Sequence, residues 1–163
     1  MTLADHARTL IAYNAWANTT LLDAAEHLSD EELGAEARSG YGSIIAKLRH
    51  IVSAQATWLA RWTSESLPSY HLLTREGMRA AYEDSHRRLE SFATTLTDAD
   101  WDSIIEYRDS SGAEQSAPLG RLITHVVNHG TLHRGEAGML LAAHNRSPGD
   151  LDFVYWARDH RVG

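Results

Sequence analysis

The chain has 163 residues, 43% apolar and 23% charged, which is enough for one soluble domain with a substantial core. A formal net charge of −7, a single lysine (Lys47) and scattered arginines exclude the clustered basic surface that a nucleic-acid partner needs. Cysteine is absent, so disulfides, thiolate metal sites and a cysteine nucleophile are excluded, and any transition metal must be held by imidazole and carboxylate.

No apolar run approaches the roughly 20 residues needed to cross a bilayer, so no membrane partner is expected. Met1–His6 lacks the basic and apolar regions of a signal peptide, and cytoplasmic residence is the expectation. With three prolines, no low-complexity tract and no internal repeat, residues 1–163 read as a single domain without a linker.

Leu3, Ala7, Leu10, Asn14, Ala17, Leu21, Ala24 and Leu28 recur at three- and four-residue intervals and predict a long first helix over about 3–28. Asn14 interrupts this apolar face, with Asn18 one turn on. It either hydrogen-bonds inside the bundle, as a buried amide must, or lies near a site. Residues 29–42, ending in Ser39-Gly40-Tyr41-Gly42, read as a loop.

Ser43 suits the N-cap of a second helix, about 44–63, whose stripe is Ile44, Leu48, Ile51, Gln55, Trp58 and Trp62. His50 lies one residue off that stripe, where a histidine is either a packed or surface residue or a ligand. A loop containing Pro68 leads to Thr74, the predicted N-cap of a third helix over about 75–97. Met78, Ala81, Tyr82, Ser85, Leu89, Phe92 and Leu96 give it an apolar face. Glu83, Asp84, Arg87, Arg88 and Glu90 lie opposite as a solvated surface, to which His86 is assigned; His71 falls in the preceding loop.

Trp101–Arg108 and Ala113–Ser116, separated by Asp109-Ser110-Ser111-Gly112, predict a short hairpin. Asp98, Asp100 and Asp102 before it read as a solvated loop rather than a carboxylate site. Pro118 then suits the start of a fourth helix, about 118–144, and a tail with Phe153, Tyr155 and Trp156 reads as a terminal helical segment.

The fourth helix carries His125, His129 and His133 at four-residue spacing. At about 100° and 1.5 Å per residue, His129 and His133 sit roughly 40° and 6 Å apart, so their imidazoles can converge on one ion if a third ligand arrives from elsewhere. His125 lies about 80° and 12 Å from His133, too far for one small ion to reach all three. A purely structural reading, with the histidines satisfying hydrogen bonds, remains open at this point. Three features favour metal: the run is embedded in an apolar helix, Glu136 follows His133 by three residues, and His50 stands on a helix able to pack against this one.

Gly130 follows His129 where the zinc-protease HExxH needs glutamate, so that mechanism is excluded. No GxSxG, P-loop or GxGxxG pattern is present. Gly130, Gly135 and Gly138 cost helix stability and permit either close approach of another helix or a kink.

Four stretches then carry a resemblance: Tyr13-Asn14-Ala15-Trp16-Ala17-Asn18; Gly42–Ile51 continuing to Trp58 and Arg61; Asn128–Glu136; and Asp150–Arg158. In this order they resemble the DinB/YfiT-like family of metal-dependent four-helix-bundle proteins. The resemblance implies an all-α four-helix bundle of up-down-down-up type with a long crossover, a short hairpin or loop before helix four and a small C-terminal helical segment. It implies a metal site on His50, His129 and His133 for a divalent transition metal (zinc, nickel or iron), with His125 beside it or lining the pocket. Family members commonly carry glutamine where Glu136 stands, so Glu136 could orient a ligand histidine, bind the metal or act on substrate. A homodimer is implied, as is a small-molecule substrate. The implied activity is that of a thiol transferase using a low-molecular-weight thiol or of a hydrolase, against a non-enzymatic metal-binding or stress-associated bundle.

Overall fold

A computed structural model describes residues 1–37, 42–66, 70 and 72–160. Ser39, Gly40 and Tyr41 of the first predicted loop, and Pro68 and His71 of the second, lie outside the described residues.

Four long helices form the bundle: α1 (Leu3–Ala25), α3 (Ile44–Thr63), α4 (Arg75–Thr95) and α5 (Leu119–Ala142). Among the described residues, two short helices, α2 (Asp30–Gly34) and α6 (Phe153–Asp159), and a hairpin of β1 (Ile104–Arg108) and β2 (Glu114–Pro118) accompany them. The helix starts follow local chemistry. Thr2 and Asp5 form a reciprocal capping box at α1, and Ser43 accepts from the Ala46 amide at α3. Thr74 occupies the N-cap position of α4, although its side chain makes no capping bond there.

The first helix stops at Ala25, three residues short of the expected end, and the expected loop beyond it contains α2. Ser29 and Glu32 cap that short helix reciprocally, a Ser-x-x-Glu signature present in the sequence but not used. The aspartate stretch is likewise a 3-10 turn, Asp98–Asp102, rather than a loop. Asp98 accepts from the Ala4 amide, and Asp100 takes both the amide and the hydroxyl of Thr97. These two carboxylates fasten helix and turn ends.

β1 and β2 pair antiparallel, with Ile104 opposite Pro118 and Tyr107 opposite Gln115. The Asp109 carboxylate accepts from the Ser111 and Ala113 amides across the turn, and Gly112, at φ +85°, takes the left-handed conformation that a side chain would oppose.

Side-chain order along the helices fixes the topology. One apolar cluster holds Ala4, Ala7 and Ile11 of α1, Leu59 and Trp62 of α3, Leu89 and Ala93 of α4, and Leu119–Val126 positions of α5. A second holds Leu21–Ala25 positions of α1, Ile44–Ala56 positions of α3, Met78–Tyr82 positions of α4, and Ala137 and Leu141 of α5. α1 and α5 therefore run from the first cluster to the second, while α3 and α4 run the other way. α1 packs on α4 and α5, and α3 packs on the same two. The bundle is thus up-down-down-up, and the connection from Thr63 to Arg75 returns along its length.

Between the clusters lies a polar layer. Gln55 accepts from the Asn14 amide (2.5 Å) and the Asn18 amide (2.8 Å) and donates to Ser85 Oγ (3.0 Å). Arg134, 2% exposed, donates to the oxygens of Asn14 (2.7 Å), Asn18 (2.8 Å) and Thr131 (2.8 Å). His86 is buried with Nε2 3.5 Å from Asn18 Nδ2, which corrects its assignment to the solvated surface. Burial, and then the Arg134 charge, push His86 down to about 4, so it is a neutral acceptor for the Asn18 amide. Asn14 takes the first of its two roles, hydrogen bonding within the bundle.

Candidate metal centre

α3 and α5 pack against each other along their length, and this brings His50 to the two histidines of α5. The rings of His50 and His133 lie 4.4 Å apart, those of His129 and His133 4.4 Å, and those of His50 and His129 5.0 Å, all edge to face. His50, His129 and His133 each offer one nitrogen within 4.8 Å of the others, a group that could hold a metal ion. The Nε2 atoms of His50 and His129 stand 3.0 Å apart. Donors on a tetrahedral ion at about 2.0–2.1 Å are separated by roughly 3.3 Å, so the nitrogens fit such an ion with small adjustments.

Each histidine is prepared differently. Burial, followed by the neighbouring His133, His50 and His125, holds His129 down to about 4, leaving the ring neutral with a free lone pair at pH 7. His133 donates from Nδ1 to Glu136 Oε2 at 2.7 Å, which leaves Nε2 to face the cluster. The same carboxylate oxygen receives Lys47 Nζ at 2.6 Å. Lys47 first and His133 second hold Glu136 below its ordinary value, so it is ionised and engaged on both sides. Glu136 thus contacts His133, one of the three candidate ligands, through Nδ1.

His125 stands outside the three-nitrogen group. Its ring stacks on His129 at 5.6 Å and meets Trp58 edge-on at 5.2 Å, so it lines the approach. His50 and His125 are exposed while His129 and His133 are half-buried, so the cluster has a solvent-facing side.

Sequence reasoning did not single out Lys47 or Arg134 for these roles. Lys47 lies one turn before His50, and a lone lysine facing a lone buried-helix glutamate offered a charge-pairing signal. Arg134 could have been sought as the partner of Asn14, Asn18 and Gln55, three amides on otherwise apolar stripes.

An up-down-down-up bundle with a three-imidazole cluster between its second and fourth long helices defines a class: helical-bundle proteins whose histidine cluster could hold a metal ion. The DinB family model matches residues 3–158, and the chain belongs to the DinB family. It is also similar to Protein DinB of Bacillus subtilis (strain 168), with 23% identity over 148 residues, covering 85% of this chain and 86% of that protein. No helix among the described residues is long and apolar enough to cross a membrane.

Proposed function

We propose that the protein is an enzyme dependent on a divalent transition metal held by His50, His129 and His133, and that it joins a thiol to a small electrophilic molecule. The observation carrying this reading is the convergence of three imidazole nitrogens within 4.8 Å with His50 exposed, and with Glu136 already engaged by Lys47 and His133. Bound there, zinc, nickel or iron would lower the pKa of a coordinating thiol or water and so furnish a nucleophile near neutral pH. His129 contributes a neutral ring, and Glu136 keeps the proton of His133 on Nδ1. Because Glu136 is committed to those contacts, a reaction needing a free carboxylate base is less well served than one whose nucleophile forms on binding. That favours thiol transfer over the hydrolase reading.

The low-molecular-weight thiol and the homodimer belong to the same proposal. Exposed Leu132 and Met139 on α5 supply apolar surface for a second copy. Metal-loaded protein assayed with several low-molecular-weight thiols against alkyl and aryl electrophiles should accelerate conjugation, and His129→Ala should abolish the acceleration. Turnover of hydrolysable esters without any thiol-dependent reaction would instead favour the hydrolase. Metal binding with neither reaction would favour a non-enzymatic metal-binding protein.

A further inference from the structure

Beyond the three histidines, a series of aromatic contacts runs along α3 and α5 to the hairpin. His129 stacks on His125, His125 meets Trp58, and Trp58 meets Tyr107 of β1 edge-on at 5.0 Å. Arg61 closes the series, its guanidinium carbon 4.5 Å from the Trp58 ring centre and 5.3 Å from that of Tyr107. Arg61 lies eleven positions after His50. They therefore share a helix face to within about 20°, roughly 16 Å apart. The turns between them on that face carry Ala54 and Thr57, both short side chains.

Arg61 is half-buried, and among the described residues it has no carboxylate partner. Nη2 donates to the Arg108 carbonyl at 2.8 Å, which ties the guanidinium to the hairpin. A planar cation fixed by one backbone bond and two aromatic rings keeps further N–H donors for a ligand, and its fork geometry suits an oxyanion. In a chain of net charge −7, such an arginine selects for an anion against the general field.

We propose that Arg61, Trp58 and Tyr107 form the far anchor of a substrate-binding surface, and that the substrate is an elongated organic anion with a flat, aromatic or unsaturated body. Its anionic end lies on Arg61, its planar part runs along Trp58 and His125, and its other end reaches the histidine cluster. This rests on the cluster being the reacting centre, but the anchor itself needs no metal. A role for Arg61 confined to pinning the hairpin would affect stability without distinguishing charged from neutral ligands.

The test uses 2-naphthalenesulfonate, a weak metal ligand, against neutral methyl 2-naphthyl sulfone, titrated into the full-length protein both zinc-loaded and metal-free. The sulfonate should bind at least about tenfold tighter than the sulfone in both forms, with added salt weakening only the sulfonate. Arg61→Met should remove that preference while leaving sulfone affinity within about twofold, and Arg61→Lys should restore part of it. Trp58→Ala should weaken both probes. Equal binding of the two probes, undiminished sulfonate binding by Arg61→Met, or a preference that vanishes with the metal would each overturn the assignment. Zinc stoichiometry measured on the same samples reads the metal proposal separately, so either can fail alone.

Discussion

At Gly130 there is no space for a side chain: an added Cβ would stand 2.7 Å from Arg134 Nη1 and 2.8 Å from Asn14 Oδ1. The sequence left this glycine between close helix approach and a kink, and the polar layer decides for close approach, of α1 within the same chain. Gly130→Ala should gain up to about 1 kcal/mol of helix propensity but lose more by displacing Arg134, for a net destabilisation of roughly 2 kcal/mol in urea unfolding. At Glu136 the expected effect is on metal rather than fold. Glu136→Gln keeps an oxygen for His133 but removes the negative charge that His133 and Lys47 share, and metal affinity in competition with a chromophoric chelator should fall about tenfold. His86 provides a pH signature. Its folded pKa of about 4 is below the ordinary value of 6.5, so the stability it carries is complete above pH 6.5 and is lost as pH falls towards 4. Urea midpoints at pH 7 and pH 5 should therefore differ less in His86→Gln than in the parent protein.

The long helices were readable because apolar positions recur with the helical period, and the start of α3 falls where Ser43 put it. The ends were less readable: α1 breaks at Ala25, although Leu28 continues the apolar spacing and is itself buried beyond the helix. His86 was misplaced because it sits between the charged and apolar faces of α4, and only the arrival of Asn18 from α1 makes that position interior. The pair His129 and His133 followed from helical geometry alone. His50 did not, since no pattern within α3 says which helix it faces; the family resemblance supplied it. The terminal segment illustrates how one side chain docks an element. Trp156 is the one buried residue assigned to α6, and it packs edge-on against Tyr13, whose hydroxyl donates to the Leu151 carbonyl. Trp156→Ala should release α6, costing about 3 kcal/mol and exposing residues 145–152 to limited proteolysis.

Across the molecule, two apolar clusters provide the bulk of the burial, and the amide–arginine layer between them sets how the four helices meet. An unpaired amide or guanidinium in that layer is costly, so helices shifted along one another by a turn are disfavoured more strongly than hydrophobic packing alone would require. This ordering places α3 against α5 in the register that brings His50 to His129 and His133. The polar layer and the candidate metal site are thus consequences of the same alignment, on different faces of α5. A bound ion stabilises only the folded chain, so zinc at about 100 times its dissociation constant should add roughly 2.7 kcal/mol to unfolding. The decisive measurement is elemental analysis of metal-loaded protein prepared without an affinity tag, alongside His50→Ala, His129→Ala and His133→Ala. One tightly held ion per chain, lost or severely depleted in each variant whose helical circular dichroism is intact, is the predicted result; full metal content in the variants, or none in the parent protein, would contradict it.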